Sequence, residues 1–155
     1  MKKTNAIRIL ESKNFKFEIL EYEFKEDEID AVSVATKIDV PAYLVFKTLV
    51  TVGDKTGINV FCIPANNELD LKKSATASGN KKIEMLKLKD LRSTTGYIRG
   101  GCSPIGMIKK YPTYIDEISQ FYDEIYVSAG ARGIQIKISP DELISITEGQ
   151  YKDLI

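Results

Sequence analysis

The sequence predicts an α+β fold, a mixed and mostly antiparallel β-sheet curled into a barrel-like form with flanking helices. Two observations lead there. Short helical patterns stand at both ends of the chain, and strand-like runs fill most of what lies between them. No repeat, low-complexity tract or Pro/Ser-rich linker divides the 155 residues, so a single domain over 1–155 is expected. A content of 43% hydrophobic residues is enough for a real core.

Each element has a local cause. Ala6, Ile7, Ile9 and Leu10 form the apolar stripe of a first helix, with Thr4 or Asn5 as its N-cap. Phe15, Phe17 and Ile19 alternate with Lys16, Glu18 and Leu20, the pattern of a half-buried strand ending near Tyr22. Lys25 to Asp30 reads as an acidic, solvated loop. Val32, Ala35 and Ile38 give a second helix that Val40-Pro41 closes.

The middle is richer in strands. Val45 to Val52 and Ile58 to Ile63 flank Gly53-Asp54-Lys55-Thr56-Gly57 and predict a hairpin of two central strands. Leu69 to Ala77 reads as a helix closed by Gly79, Ile83 to Leu88 as a short strand or connector, and Lys89 to Ser93 as a helical turn. Tyr114 to Asp116, Ile125 to Val127 and the alternation Ile134, Ile136, Ile138 predict three more strands. Ser139-Pro140-Asp141-Glu142 then opens a last helix as a capping box, with proline at the first helical position.

Composition removes several chemistries. The chain has no histidine, which excludes a Ser-His-Asp or Cys-His unit, imidazole acid/base catalysis and His-ligated zinc. Cys62 and Cys102 alone make neither a thiolate zinc site nor a disulfide scaffold, so a reducing cytoplasm is expected and no metal or cofactor is called for. With 22 basic against 22 acidic residues, bulk electrostatics do not hold nucleic acid. The charged start Met1-Lys2-Lys3 leads into no signal-peptide core, and no apolar run approaches the ~20 residues of a membrane span.

Three features are placed to carry chemistry. Lys47 interrupts an apolar strand, where it is either an edge lysine reaching to solvent or a cation at the mouth of a pocket. Gly96-Tyr97-Ile98-Arg99-Gly100-Gly101-Cys102-Ser103-Pro104-Ile105-Gly106 holds four glycines in eleven residues. Such a loop either turns a corner or brings backbone N–H groups to an oxyanion. It is not a phosphate loop, since Met107 and Ile108 stand where Lys and Ser/Thr would be. Ser128-Ala129-Gly130-Ala131-Arg132-Gly133 is a turn in which Ser128, with no histidine to activate it, is a hydrogen-bonding group rather than a nucleophile. Cys62 reads as core, whereas the reactivity of Cys102 stays open. Lys72-Lys73, Lys81-Lys82, Lys109-Lys110, Arg99 and Arg132 form either a local basic rim or a solvated face.

Taken together these motifs resemble the YbaK-type aminoacyl-tRNA deacylase family. The likeness rests on the glycine loop, on Leu69-Asp70-Leu71-Lys72-Lys73 before it and on Tyr126 to Gly133 after it, with Tyr22, Lys47-Thr48 and Asp116 in the expected order. That family comprises trans-editing enzymes and the editing domain of some prolyl-tRNA synthetases, which hydrolyse the ester joining a wrong amino acid to tRNA. The resemblance implies that Lys47 is the principal functional side chain. It implies that Tyr22, Thr48, Gly96, Gly100 and Ser128 line the pocket for the aminoacyl-adenosine end, with Gly101, Ser103 and Gly130 among the substrate-binding positions of the same loops. It also implies Cys-tRNA(Pro), and Cys-tRNA(Cys), as substrates, with the 3′ end of aminoacyl-tRNA and prolyl-tRNA synthetase as partners. Hydrolysis of Ala-tRNA(Pro), or a non-catalytic module that binds aminoacyl-tRNA or a synthetase, are the alternatives.

Overall fold

The computed structural model describes residues 3–155; Met1 and Lys2, the start of the charged amino terminus, lie outside them. In chain order the elements are α1 (Asn5–Ser12), β1 (Glu18–Glu21), α2 (Ala31–Lys37), β2 (Phe46–Gly53), β3 (Gly57–Pro64), α3 (Leu71–Ser78), β4 (Ile83–Met85) and α4 (Leu91–Thr95). Next come β5 (Thr113–Asp116), β6 (Ile125–Ser128), β7 (Ile134–Ile138), α5 (Pro140–Thr147) and β8 (Gln150–Lys152).

The α+β class and the mixed, mostly antiparallel pairing are as the sequence predicts, but the curl is looser than a barrel. The strands form two sheets. An antiparallel three-stranded sheet runs β1-β7-β6, and a five-stranded sheet runs β4-β2-β3-β5-β8, parallel only at β3-β5 and β5-β8. An isolated bridge from Val45 to Tyr126 joins the two without closing them.

Facing apolar stripes explain why the sheets stack. Ile125, Val127, Ile136 and Ile138 from one sheet meet Phe46, Cys62 and Ile115 from the other, and α1 closes the layer with Ala6, Ile7 and Leu10. Burying Ile7 or Leu10 contributes about 2 kcal/mol each. Thr4 fixes the start of α1: its Oγ1 accepts from Ile7 N at 3.2 Å and donates to the Ala129 carbonyl at 2.5 Å.

At α5 the expected capping box is half formed. Ser139 Oγ accepts from Glu142 N at 3.2 Å. The Glu142 carboxylate, however, accepts from Lys16 N at 3.0 Å and so ties the segment before β1 to this helix. Phe15 and Phe17 lie outside β1, which is shorter than expected, yet both pack on the core. The exposed face of α2 carries Val32, while Val34 and Ala35 are buried.

The chain ends in a strand rather than a helix. β8 pairs in parallel with β5. The buried Asp116 carboxylate anchors the segments beyond both strands, accepting from Ile118 N at 3.0 Å and Leu154 N at 2.8 Å. No helix among the described residues is long and apolar enough to cross a membrane.

Candidate active site

β2 places the site. From Thr51 to Gly53 it pairs with β3 on one side and with β4 on the other. The β3 ladder continues back to Phe46, but the last bond toward the β4 side is Leu86 N to the Val50 carbonyl, at 3.0 Å. The edge from Phe46 to Leu49 therefore faces a cavity of about 430 Å³, within the usual size of a small-ligand site. The start of α2, residues 85–91, the glycine loop, Ser128 and Gln135 complete its walls.

Lys47 stands in this wall, half-buried, and its Nζ donates to the Ala65 carbonyl at 3.2 Å. Burial lowers its pKa below the ordinary lysine value, while the charges of Glu68 and Asp30 oppose that shift. Asp30 also lines the cavity, as the N-cap of α2, accepting from Ser33 N at 3.1 Å and Ser33 Oγ at 2.6 Å. Those bonds, led by the Ser33 hydroxyl, hold its carboxyl below the usual range. Among the described residues Lys47 makes no ion pair, so its ammonium remains available to an anionic or carbonyl oxygen.

Thr48, Gly100 and Ser128 also line the cavity. Thr48 Oγ1 lies 3.8 Å from Cys62 Sγ. Ser128 Oγ accepts from Gly130 N at 3.1 Å, which leaves its hydroxyl hydrogen for another acceptor. Gly100 has φ +82°, and a side chain there would meet Ile29 at 2.8 Å.

The other residues named from sequence lie elsewhere. Gly96 terminates α4 in the left-handed region and does not reach the cavity. Gly101, Ser103 and Gly130 lie outside the lining and press the glycine loop against the 128–133 turn. A Cβ on Gly101 would stand 3.1 Å from the Ala131 backbone, and one on Gly130 would stand 2.8 Å from Tyr97. Ser103 is fully buried and accepts from Ile105 N at 3.2 Å. Tyr22 borders a separate shallow depression with Phe24 and Lys37, tied by its N–H to the Gly133 carbonyl at 2.9 Å.

Both cysteines are held as thiols. Burial pushes Cys62 up to about 12 and Cys102, in the cavity wall, up to about 11, which weighs against a thiolate nucleophile. Of the basic residues, Arg99 lines the cavity and its carbonyl accepts from Arg132 Nε at 2.9 Å. Lys73, Lys82 and Lys110 instead pair with Asp153, Glu84 and Glu148 away from it. Of the residues named for a basic rim, only Arg99 lines the cavity, with Arg132 bonded to its carbonyl.

Sequence reading missed Ile29, Asp30 and Gln135 in the cavity wall. Asp30 looked like the last member of a solvated acidic run; its place before an apolar helix, as an N-cap, was the available signal. Gln135 carried none, because strand alternation assigns it to the solvent side. Among the described residues no group of three or more His, Cys, Asp or Glu side chains is placed to hold a metal ion.

The two curled sheets carry a cavity of small-ligand size, with a half-buried lysine, the glycine loop and the serine turn on its walls. Residues 26–146 match the model of the aminoacyl-tRNA editing domain, and the chain belongs to that family. A protein of Enterococcus faecalis provisionally named Cys-tRNA(Pro)/Cys-tRNA(Cys) deacylase EbsC is 55% identical over 152 residues, covering 98% of this chain and 93% of that protein. A crystal structure described provisionally as a trans-editing enzyme for prolyl-tRNA synthetase superposes with TM-score 0.85 at 27% identity, over 99% of this chain and 98% of the other. A hypothetical protein of known structure shares the fold at TM-score 0.87 and 18% identity, over 97% and 99% of the two chains.

Proposed function

We propose that the chain, acting as one domain in the cytoplasm, is a trans-editing aminoacyl-tRNA deacylase whose preferred substrates are Cys-tRNA(Pro) and Cys-tRNA(Cys). The observation that carries this reading is the Lys47 ammonium, half-buried in the cavity wall with a single backbone acceptor. Family membership and the likeness to the E. faecalis protein support the reaction class.

An aminoacyl ester is already activated, so positioning and a few donors suffice to cleave it. Lys47 holds a terminal phosphate or sugar oxygen and orients the ester. Gly100 allows the loop backbone to approach the carbonyl oxygen closely, and the Ser128 hydroxyl adds a donor. The substrate thiol attacks its own carbonyl carbon. The new C–S bond replaces the ester C–O bond, the thiol proton passes to the departing ribose oxygen, and water then opens the cyclic thioester to free cysteine. The balanced net charge fits contact with the end of the tRNA rather than its body, with prolyl-tRNA synthetase as the delivering partner.

The test is release of amino acid from Cys-, Ser- and Ala-tRNA(Pro) by the purified chain. Fast release from Cys-tRNA(Pro) is expected. Preference for Ala-tRNA(Pro) contradicts the substrate assignment, and no release from any of the three contradicts catalysis.

A further inference from the structure

An aminoacyl-adenosine end inside the cavity stays attached to the rest of its tRNA through the phosphodiester on the 5′ side of the terminal adenosine. That phosphate has to lie where the nucleic acid leaves the cavity, at the mouth rather than among the buried residues Val45, Phe46 and Gln135. The exposed members of the wall mark the mouth: Asp30, Met85 at 49%, Leu88 at 58% and Arg99.

The charged residues of the wall are Asp30, Lys47 and Arg99, and Arg99 is the cation among its exposed members. The backbone around Arg99 is fixed. Gly101 N donates to the Ile98 carbonyl at 3.0 Å and closes the turn, and Arg132 Nε donates to the Arg99 carbonyl at 2.9 Å. Gly100, at φ +82°, leaves room for that bond, since a Cβ there would stand 3.3 Å from Arg132 Nε. The Arg99 guanidinium, by contrast, makes no hydrogen bond and no ion pair among the described residues.

A guanidinium with its donors unused, carried on an anchored backbone, suits a phosphate because its fork of N–H groups meets two phosphate oxygens at once. Asp30, the acid at the same mouth, already gives its carboxylate oxygens to Ser33. Lys47 is half-buried and bonded to the Ala65 carbonyl, which suits it to groups that enter the cavity. We infer that Arg99 forms a phosphate subsite at the cavity mouth, holding the phosphodiester that precedes the terminal adenosine and leaving Lys47 to the sugar and ester oxygens. The inference rests on the deacylase reading and deepens it. A single phosphate contact at the mouth agrees with the balanced charge of the chain.

The experiment measures Kd by calorimetry for two uncleavable probes. One is 3′-cysteinylamino-3′-deoxyadenosine; the other is its 5′-(methyl phosphate) diester, which adds the one negative charge of an internucleotide link. The parent chain is expected to bind the diester about fivefold more tightly at low salt, the size of a solvated but charge-assisted contact. In Arg99→Gln, which keeps a polar side chain and removes the charge, the two probes should bind within about twofold of each other. The ratio is taken within each protein, so a loss of folded material leaves it unchanged. Equal binding of the two probes by the parent, or an undiminished advantage of the diester in Arg99→Gln, overturns the inference while nucleoside binding and the deacylase reading stand. Failure of the parent to bind either probe also overturns it, and release of cysteine from Cys-tRNA(Pro), measured separately, decides whether the deacylase reading falls as well.

Discussion

The two halves of β2 share one strand and one ladder to β3, yet they do different work. From Thr51 to Gly53 the strand is bonded on both edges, and polar side chains lock the turn after it. Asn80 Oδ1 accepts from Lys55 N at 2.8 Å and Thr56 N at 2.9 Å, and its Nδ2 donates to Thr56 Oγ1 and Ser78 Oγ, both at 2.8 Å. Gly53 lies so close to that amide that a Cβ would stand 2.3 Å from it. From Phe46 to Leu49 the edge away from β3 is paired in no ladder among the described residues, β6 meeting β2 only through the Val45–Tyr126 bridge just before it, and Lys47 and Thr48 border the cavity. A sheet becomes a site where a neighbouring strand stops short, because the freed edge admits a ligand without breaking the ladder that supports it.

That division predicts opposite phenotypes for substitutions in the two halves. Lys47→Ala is expected to lower single-turnover release from Cys-tRNA(Pro) by about 10²- to 10³-fold, the usual loss when a key donor to a reacting centre is removed. Its melting temperature should match the parent, because the ammonium carries one backbone hydrogen bond. Full activity in the folded variant removes Lys47 from the mechanism. Asn80→Ala should do the reverse, costing about 2–3 kcal/mol in urea unfolding by leaving turn donors unpaired, with kcat/KM intact in the fraction that remains folded. A stable Asn80→Ala protein with impaired turnover erases the boundary between the halves.

Smaller effects sharpen the picture of the opposite wall. Ser128→Ala should lower kcat/KM by about three- to tenfold, since one neutral hydrogen bond is worth about 0.5–1.5 kcal/mol. Unchanged kinetics place its hydroxyl outside the substrate's reach. Cys102→Ala should be nearly silent. With its thiol pushed up to about 11, Cys102 is protonated at neutral pH, and its alkylation should accelerate as pH rises toward that value. Rapid labelling at pH 7, or a dead Cys102→Ala enzyme, points instead to a protein thiolate.

Much of this was legible in the sequence, for identifiable reasons. Thr4, Gly79 and Ser139 are local signals, and each does at its helix end what its chemistry dictates. Lys47 stood out because it conflicts with the apolar run around it, and such conflicts mark sites more often than agreement does. β8 was missed because Gln150, Tyr151 and Lys152 offer no alternation to detect; the strand exists through its parallel pairing with β5. Gln135 was missed for a related reason. Alternation along β7 puts it on the same face as Lys137, which does reach Glu18 and Glu124. At the Gln135 end that face is covered instead, where Leu20, Val45 and Ala31 of α2 pack together. Period-two patterns report which face a residue is on, not what the rest of the chain lays over it.

The central claim is that the open half of β2 receives the aminoacyl end. The direct measurement is an amide chemical-shift titration with 3′-cysteinylamino-3′-deoxyadenosine, whose amide linkage resists cleavage. Shifts are expected only at Phe46–Leu49, Gly100, Cys102, Ser128 and Gln135, with Thr51–Gly53 unmoved. Shifts centred instead on the second cavity, about 260 Å³ beside Lys109, Lys110 and Ile146, would contradict the claim.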